Sequence, residues 1–357
     1  MSHAALPPQD LTLNETLRDN EPLSAPFERL AAALEKANAL PLKMFIFGDC
    51  AAQPEVRAIL EKTIGNNYPV TWSQGGSCFG GKIAGIQLYA LANNKNIRRI
   101  ALPDGRIVAS AYEDADARHC LLGGLGPDDP QKSPAEQTNE TFANLKNALA
   151  DAGFDIADIA RTWFYNRDIL AWYDDFNAVR TAYYSQKPFR TGSLPASTAV
   201  SGNNPQGAAL TLAAWAIIPL NKNALVAEVA SPLQCPAPAY GSGFSRAMDI
   251  NTANKKRITV SGTASIEPGG KTVHIDKVPE QIALSMEVID AILKTRGYTF
   301  ADVTRASAYC KDPSTAAHFA AWQKQHNLES MPAIPIHCDI CRDNLLFELE
   351  LDAQKDA

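Results

Sequence analysis

Apolar positions along this chain change period repeatedly, from alternation at every second residue to a return at every third or fourth. The polar, proline-punctuated opening gives way to helical spacing over about Ala25–Ala39, and Met44-Phe-Ile-Phe-Gly48 reads as a buried strand. Arg98 to Ala111 predicts a hairpin around the turn signal Pro103-Asp104-Gly105. Gly75-Gly-Ser-Cys-Phe-Gly-Gly81 lacks both the Gly-Lys-Ser/Thr ending of a phosphate loop and the spacing of a dinucleotide fingerprint, so it is read as a glycine-rich turn between strands. Near the C-terminus, Phe347, Leu349 and Leu351 alternate with Leu346, Glu348 and Glu350, the pattern of a half-buried strand carrying two carboxylates on its polar face.

The pattern also repeats. A helix beginning at Gln137 runs through Phe142, Leu145 and Leu149 to Gly153; then come Asp155, Asp158 and Arg161, a strand through Tyr165, and a second helix to Tyr184. The same order returns 144 positions later, with a helix from Gln281 through Met286 and Ile289 to Gly297, then Asp302 and Arg305, a strand through Tyr309, and a helix to about His326. Leu194-Pro-Ala196 and Met331-Pro-Ala333 open equivalent final strands. This order predicts an α+β fold in which two helices cover one face of a mixed sheet. The proline-rich stretch 232–238 is the expected boundary between the copies, giving an N-terminal extension (1–40) wrapped on a first domain (41–230) and a second domain (231–357).

Composition narrows the function classes. At 357 residues, 46% hydrophobic and 20% charged, the chain has the make-up of a globular protein of about two domains. A net charge of −6 argues against general nucleic-acid binding, which needs a basic surface. Neither a membrane-spanning run nor a secretory leader is read, and seven scattered cysteines are expected as reduced thiols in a cytoplasmic protein. Cys338 and Cys341 form a Cys-x-x-Cys without a second ligand pair for zinc and without a helix N-terminus to activate a thiol, so no metal site is assigned. Read as strand residues three apart, their sulfurs point to opposite faces. Arg161, Trp163 and Tyr165 share one strand face, an unusual polar and aromatic set for a core.

The C-terminal copy resembles a domain of the RidA/YjgF (chorismate-mutase-like) superfamily, through Gly243-Phe-Ser-Arg-Ala247, Thr259-Val-Ser-Gly262, Gln281, Gly297 with Ala301-Asp-Val303, Pro332-Ala333 and Glu348-Leu-Glu350. The two-copy build is similar to the chorismatases, through Ala160-Arg-Thr-Trp-Phe-Tyr165, Tyr240-Gly241, Lys271-Thr-Val-His274 and His337-Cys-Asp-Ile-Cys-Arg-Asp-Asn-Leu-Leu-Phe-Glu348. The similarity covers about residues 150–353, and residues 1–110 match nothing in it. The position after Pro-Ala, an arginine in the superfamily's imine deaminases, is Ile334 here and Ser197 in the first copy, which removes the deaminases' carboxylate anchor.

The resemblance implies two tandem RidA/YjgF-like domains, a small-molecule substrate (chorismate) and no cofactor, nucleic acid or membrane partner. It implies a monomer with trimer-like internal pseudosymmetry. It places the catalytic acid at Glu348. Glu350 is read as a bystander at a solvated strand position, and the first copy has no Asp or Glu between Leu194 and Ala227, so its equivalent strand lacks an acid. Cleaving the enol ether starts with protonation of its methylene carbon, so Glu348 needs a raised pKa. Arg246 and Arg161 are candidates to hold the substrate carboxylates, with Tyr165, Tyr240, Thr198 and Gln281 as further candidate contacts. Gly262 with Cys341 resembles the subgroup that releases 3-hydroxybenzoate with pyruvate; alanine at both resembles the hydrolytic subgroup that releases a dihydroxycyclohexadiene carboxylate. A branch yielding some 4-hydroxybenzoate, and a ligand-binding regulatory member without catalysis, are the alternatives.

Overall fold

The computed structural model describes residues 9–78 and 80–357, which form three sheets with six helices on their outer faces. Met1–Pro8 of the expected extension and Phe79 of the glycine-rich turn lie outside the described residues.

The first unit comprises β1 (Gln9–Glu15), α1 (Ala25–Ala37), β2 (Ala39–Gly48), α2 (Gln53–Thr63), β3 (Val70–Ser73), β4 (Gly76–Ser77) and β5 (Ile83–Ala92). The second comprises β6 (Arg98–Ala101), β7 (Ile107–Glu113), β8 (Ala117–Leu125), α3 (Pro134–Ala152), β9 (Ile159–Asn166), α4 (Ile169–Tyr184), β10 (Ala196–Ser201) and β11 (Leu210–Pro219). The third comprises β12 (Leu225–Val229), β13 (Ala247–Asn251), β14 (Lys255–Ala264), α5 (Val278–Lys294), β15 (Val303–Cys310), α6 (Pro313–Gln325), β16 (Ala333–His337) and β17 (Phe347–Asp356).

The tandem α+β pair is present as expected. The sheet orders are β10-β9-β11-β8-β7-β6 in the second unit and β16-β15-β17-β14-β13-β12 in the third, where β4 of the first unit adds a seventh strand beside β16; β9–β10 and β15–β16 are parallel. Residues 9–92, which matched nothing in sequence, follow the same plan: the order is β3-β2-β5-β1, β2 and β3 are parallel, and β5 is antiparallel to β2. They form a third copy that lacks the first two strands. The range 41–230 therefore carries parts of all three sheets. β12, which pairs with β13, already belongs to the third sheet, so the change of unit falls between Pro219 and Leu225, before the proline stretch.

Alternation divides each strand between two cores. On β2, Met44 and Ile46 face the outer helices, while Phe45 and Phe47 face inward. On β9, Ile159 and Phe164 pack outward, and Trp163 and Tyr165 inward. The inward side chains of all three sheets meet in one central core, where Phe45 lies edge-on to Trp163 at 5.3 Å.

Strand register shows which inward positions correspond. Lys43 opposite Tyr89, Arg161 opposite Trp215 and Arg305 opposite Asp352 occupy equivalent places, and so do Gln87, Ala213 and Glu350 on the partner strands. All three cations are fully buried. Arg305 bonds Asp352 at 2.9 Å, Glu350 at 2.9 Å and the first unit's Gln87 at 3.0 Å. Arg161 pairs with the other oxygen of Glu350 and donates to Thr198 at 2.6 Å. Lys43 has no hydrogen-bond partner among the described residues, and its ammonium lies 3.8 Å from the Trp163 ring centre. Burial, together with the nearby guanidinium of Arg305, pushes Lys43 well below its ordinary pKa. Apart from Lys43, the network sets two buried guanidiniums against two buried carboxylates, a balanced set.

Removing one member of that set strands its partners. Arg305→Ala should destabilise the protein by about 3–5 kcal/mol, read as a lowered urea midpoint; a loss below about 1 kcal/mol would show that the network is not what joins the sheets.

Candidate functional site

The site forms where the edge strand β10 of the second unit meets β14 and β17 of the third. Pairing of β14 with β17 is irregular between Val260 and Thr263, and Gly262 sits in that irregularity. The Gly262 N–H donates to Thr198 Oγ1 at 3.0 Å, and Ser261 Oγ accepts from the Ser197 N–H at 2.9 Å. These bonds tie the two units together beside Glu348. A side chain at Gly262 would put its Cβ 2.0 Å from Glu348 Oε1, so glycine is what gives the carboxyl its place.

β17 is the central strand of its sheet, flanked by β14 and β15. The half-buried strand expected from its alternation is therefore buried on both faces: Glu348 is 5% exposed and Glu350 is 0% exposed. The polar positions do not face water, because two further sheets pack against them.

The two carboxyls differ in their partners. Glu350, expected to be a solvated bystander, is the hub of the central network, where it accepts from Thr198 at 2.5 Å and Tyr309 at 3.2 Å as well as from both arginines. The Arg305 and Arg161 guanidiniums hold its pKa below the ordinary carboxylate range despite its burial. Glu348 has no hydrogen bond among the described residues. Burial, and next the charge of Glu350, push its pKa up to about 8, against the smaller pull of Arg161, Arg246 and Arg342. At neutral pH Glu348 is thus predominantly a protonated acid, and Glu350 a carboxylate.

Around Glu348 the structure collects part of the set expected from sequence. Arg246 is buried, bonds the Cys235 carbonyl at 2.9 and 3.1 Å, and lies between the rings of Tyr240 and Phe244, 5.4 and 5.5 Å from their centres. Cys341 lies in the connection between β16 and β17, not on a strand as expected, and packs between the second unit's core and the central core. Burial, with the nearby charge of Glu348, pushes its thiol up to about 12, so it is a neutral, space-filling group. Thr198 and Arg161 lie one layer deeper, holding Glu350.

Two candidates lie elsewhere. Tyr165 is in the central aromatic core between Phe45 and Phe47. Gln281 is committed to the backbone: its amide donates to the carbonyls of His274 and Asn344, and its carbonyl accepts from the Leu346 N–H at 2.8 Å. It fixes the turn that launches β17, as Gln137 does for β11 through the Ala209 N–H. The superfamily comparison also needs one adjustment. Register sets Thr198, not Ser197, at the place of Ile334, since Trp163 and Ser307 are their equivalent partners.

Arg180 and Arg342 were missed from sequence. Arg180 is 1% exposed, with its guanidinium 5.1 Å from the Phe176 ring centre and an Nε that has no partner among the described residues. Its signal was present, since Phe176, Arg180 and Tyr184 return at helical spacing on one buried face of α4. Arg342 donates to the Gly270 carbonyl at 2.8 Å and lies 5.5 Å from the Tyr240 ring centre. The surroundings of Glu348 thus bring together an acid, aromatic rings and three arginines, a set suited to an anionic ring compound.

The Endoribonuclease L-PSP family matches residues 121–211 and 236–354. A chorismatase of Streptomyces rapamycinicus is 30% identical over 240 residues, covering 60% of this chain and 69% of that protein. The chain belongs to the chorismatase family. Within this family, a crystal structure of a chorismatase superposes over 99% of this chain and 100% of the other, with a TM-score of 0.66 at 17% identity. The shared fold therefore includes the first unit. Among the described residues of this chorismatase family member, no helix is long and apolar enough to cross a membrane.

A raised glutamate pKa has a stability signature. The folded state retains a proton that the unfolded chain releases above its ordinary value of 4.5, so burying Glu348 costs more as pH rises from 4.5 to about 8. Glu348→Gln removes that cost. Its stability relative to the parent should improve by roughly 2–4 kcal/mol between pH 5 and pH 9, measured by urea denaturation; an equal difference at both pH values would show that Glu348 titrates normally.

Proposed function

We propose that this protein converts chorismate to 3-hydroxybenzoate and pyruvate, with Glu348 as the general acid. The observation that carries the reading is a buried carboxyl, free of hydrogen bonds among the described residues and with its pKa raised to about 8, seated over Gly262. Kinship with a protein named chorismatase supports the substrate.

Chorismate is a dianion whose enolpyruvyl ether resists cleavage until its methylene carbon is protonated. Glu348 gives that carbon its proton. The ring–ether C–O bond then breaks, and its electrons complete the keto group of pyruvate. In the same step the neighbouring ring hydroxyl oxygen bonds to the carbon being vacated, and its proton returns to Glu348. The resulting ring epoxide is an isomer of hydroxybenzoate; it opens and aromatises with loss of a ring C–H proton to solvent and gain of one on oxygen. Atoms balance without net water.

Arg246 and Arg342 are the groups we assign to the substrate carboxylates, with Arg180 reaching the same Phe244 ring as Arg246. Their charge favours a dianion, and the bound dianion keeps Glu348 protonated. Cys341 and Gly262 favour internal displacement over hydrolysis. Cys341 presents a neutral apolar surface, and Gly262 lets the acid lie flat against β14, leaving less room for an attacking water.

Purified protein should release pyruvate from chorismate, followed with a coupled dehydrogenase, and 3-hydroxybenzoate should be the ring product by chromatography. Absence of pyruvate would refute the reading. Glu348→Gln should lower kcat by at least about 10³-fold with little change in substrate binding. For the parent, kcat/KM should be flat below pH 7 and fall about tenfold per pH unit above about 8, because the acid must carry its proton. Combining Gly262→Ala with Cys341→Ala should divert product toward the diene diol. An unchanged product would remove these two residues from product choice.

A further inference from the structure

Three equivalent clefts are expected where three copies of one plan meet, and they have diverged. Between the second and third units lies Glu348. Between the third unit and the first, Ile334 fills the equivalent place, so tightly that a Cβ on Gly85 would lie 2.6 Å from its Cδ1. Between the first and second units lies a cavity of about 410 Å³, within the range of small-ligand sites.

We propose that this last cleft is a second, non-catalytic binding site for a small aromatic monocarboxylate. Its frame copies that of the Glu348 site. Gly124 stands on β8 where Gly262 stands on β14, both beside a register irregularity. The Gly124 N–H donates to Thr71 Oγ1 at 3.0 Å, as the Gly262 N–H does to Thr198. Thr71 pairs with Phe45 and Thr198 with Trp163, which are equivalent positions. The acid is replaced: Thr211, opposite Tyr165, holds the place that Glu348 holds opposite Tyr309.

The lining defines the ligand. Tyr68 and Trp72 offer aromatic walls beside Val56 and Leu60, suited to a ring. The Tyr68 side chain is buried, and its hydroxyl has no hydrogen-bond partner among the described residues, a vacancy that a ligand oxygen could fill. At the rim stand Arg57 and Arg106, each already paired through Nε with one carboxylate, Glu61 at 3.3 Å and Asp104 at 2.6 Å. Each guanidinium keeps further N–H donors, and with both charges partly answered the rim suits one ligand carboxylate better than two. Asp104 is half exposed and ion-paired, so it offers no protonated acid, and the cleft binds without turning its ligand over.

The test uses the full chain with benzoate and 3-hydroxybenzoate as probes, by isothermal titration and by soaking crystals. Arg57 and Arg106 are exposed, so Arg57→Glu with Arg106→Glu should keep the melting temperature and the turnover rate while weakening benzoate binding at least about tenfold. Tyr68→Phe should weaken it several-fold. Glu348→Gln should leave this binding intact, and ligand density should lie beside Trp72. Binding unaffected by the double substitution, binding lost only in Glu348→Gln, or no saturable binding up to about 10 mM would each overturn the proposal.

Discussion

Two guanidiniums and two carboxylates meet where the three sheets converge, and the geometry of the molecule rests on their pairing. Arg305 of the third unit reaches Gln87 of the first, while Arg161 of the second reaches Glu350 of the third. Charges so fully removed from water are tolerable only when every partner is present, so the network ties all three units to one arrangement. Tyr89 of the first unit extends it by donating to Asp352 at 2.5 Å.

The same network sets the character of the acid two residues away. Glu350 is held ionised by its arginines, and its charge, next to the effect of burial, opposes ionisation of Glu348. Two carboxyls on one strand face thus acquire opposite roles: one is a fixed anion inside the scaffold, and the other a proton store at the pocket. The division follows from which carboxyl the guanidiniums reach.

Much of this was legible in the sequence. The 144-residue recurrence predicted the tandem plan, because helix and strand periods are local properties of the chain. The strand at Met44–Gly48 and the hairpin at Pro103-Asp104-Gly105 were likewise read correctly. The role of Glu350 was not legible. Alternation of apolar and charged residues looks the same whether the polar face meets water or a buried arginine 189 positions away. The third copy escaped for a related reason. It keeps the order of elements but lacks two strands, and its equivalents of Arg305 and Glu350 are Lys43 and Gln87, so only register makes the kinship visible. Gln281 was placed in the pocket when its bonds go to the turn before β17, a distinction that rests on backbone contacts.

The distances in sequence across the central network have a further consequence, for how the chain reaches this state. Asn14 donates to the Thr304 carbonyl, Arg257 clasps Asp10, and Tyr89 joins Asp352. Each contact closes a loop of more than two hundred residues, so its entropic cost falls on the last steps of assembly. During synthesis the inner face of the first unit, with Lys43 and Tyr89, is finished long before β17 leaves the ribosome. Until then its apolar inner surface lacks its final cover. The interlocking of the three units therefore makes the first unit wait for the third.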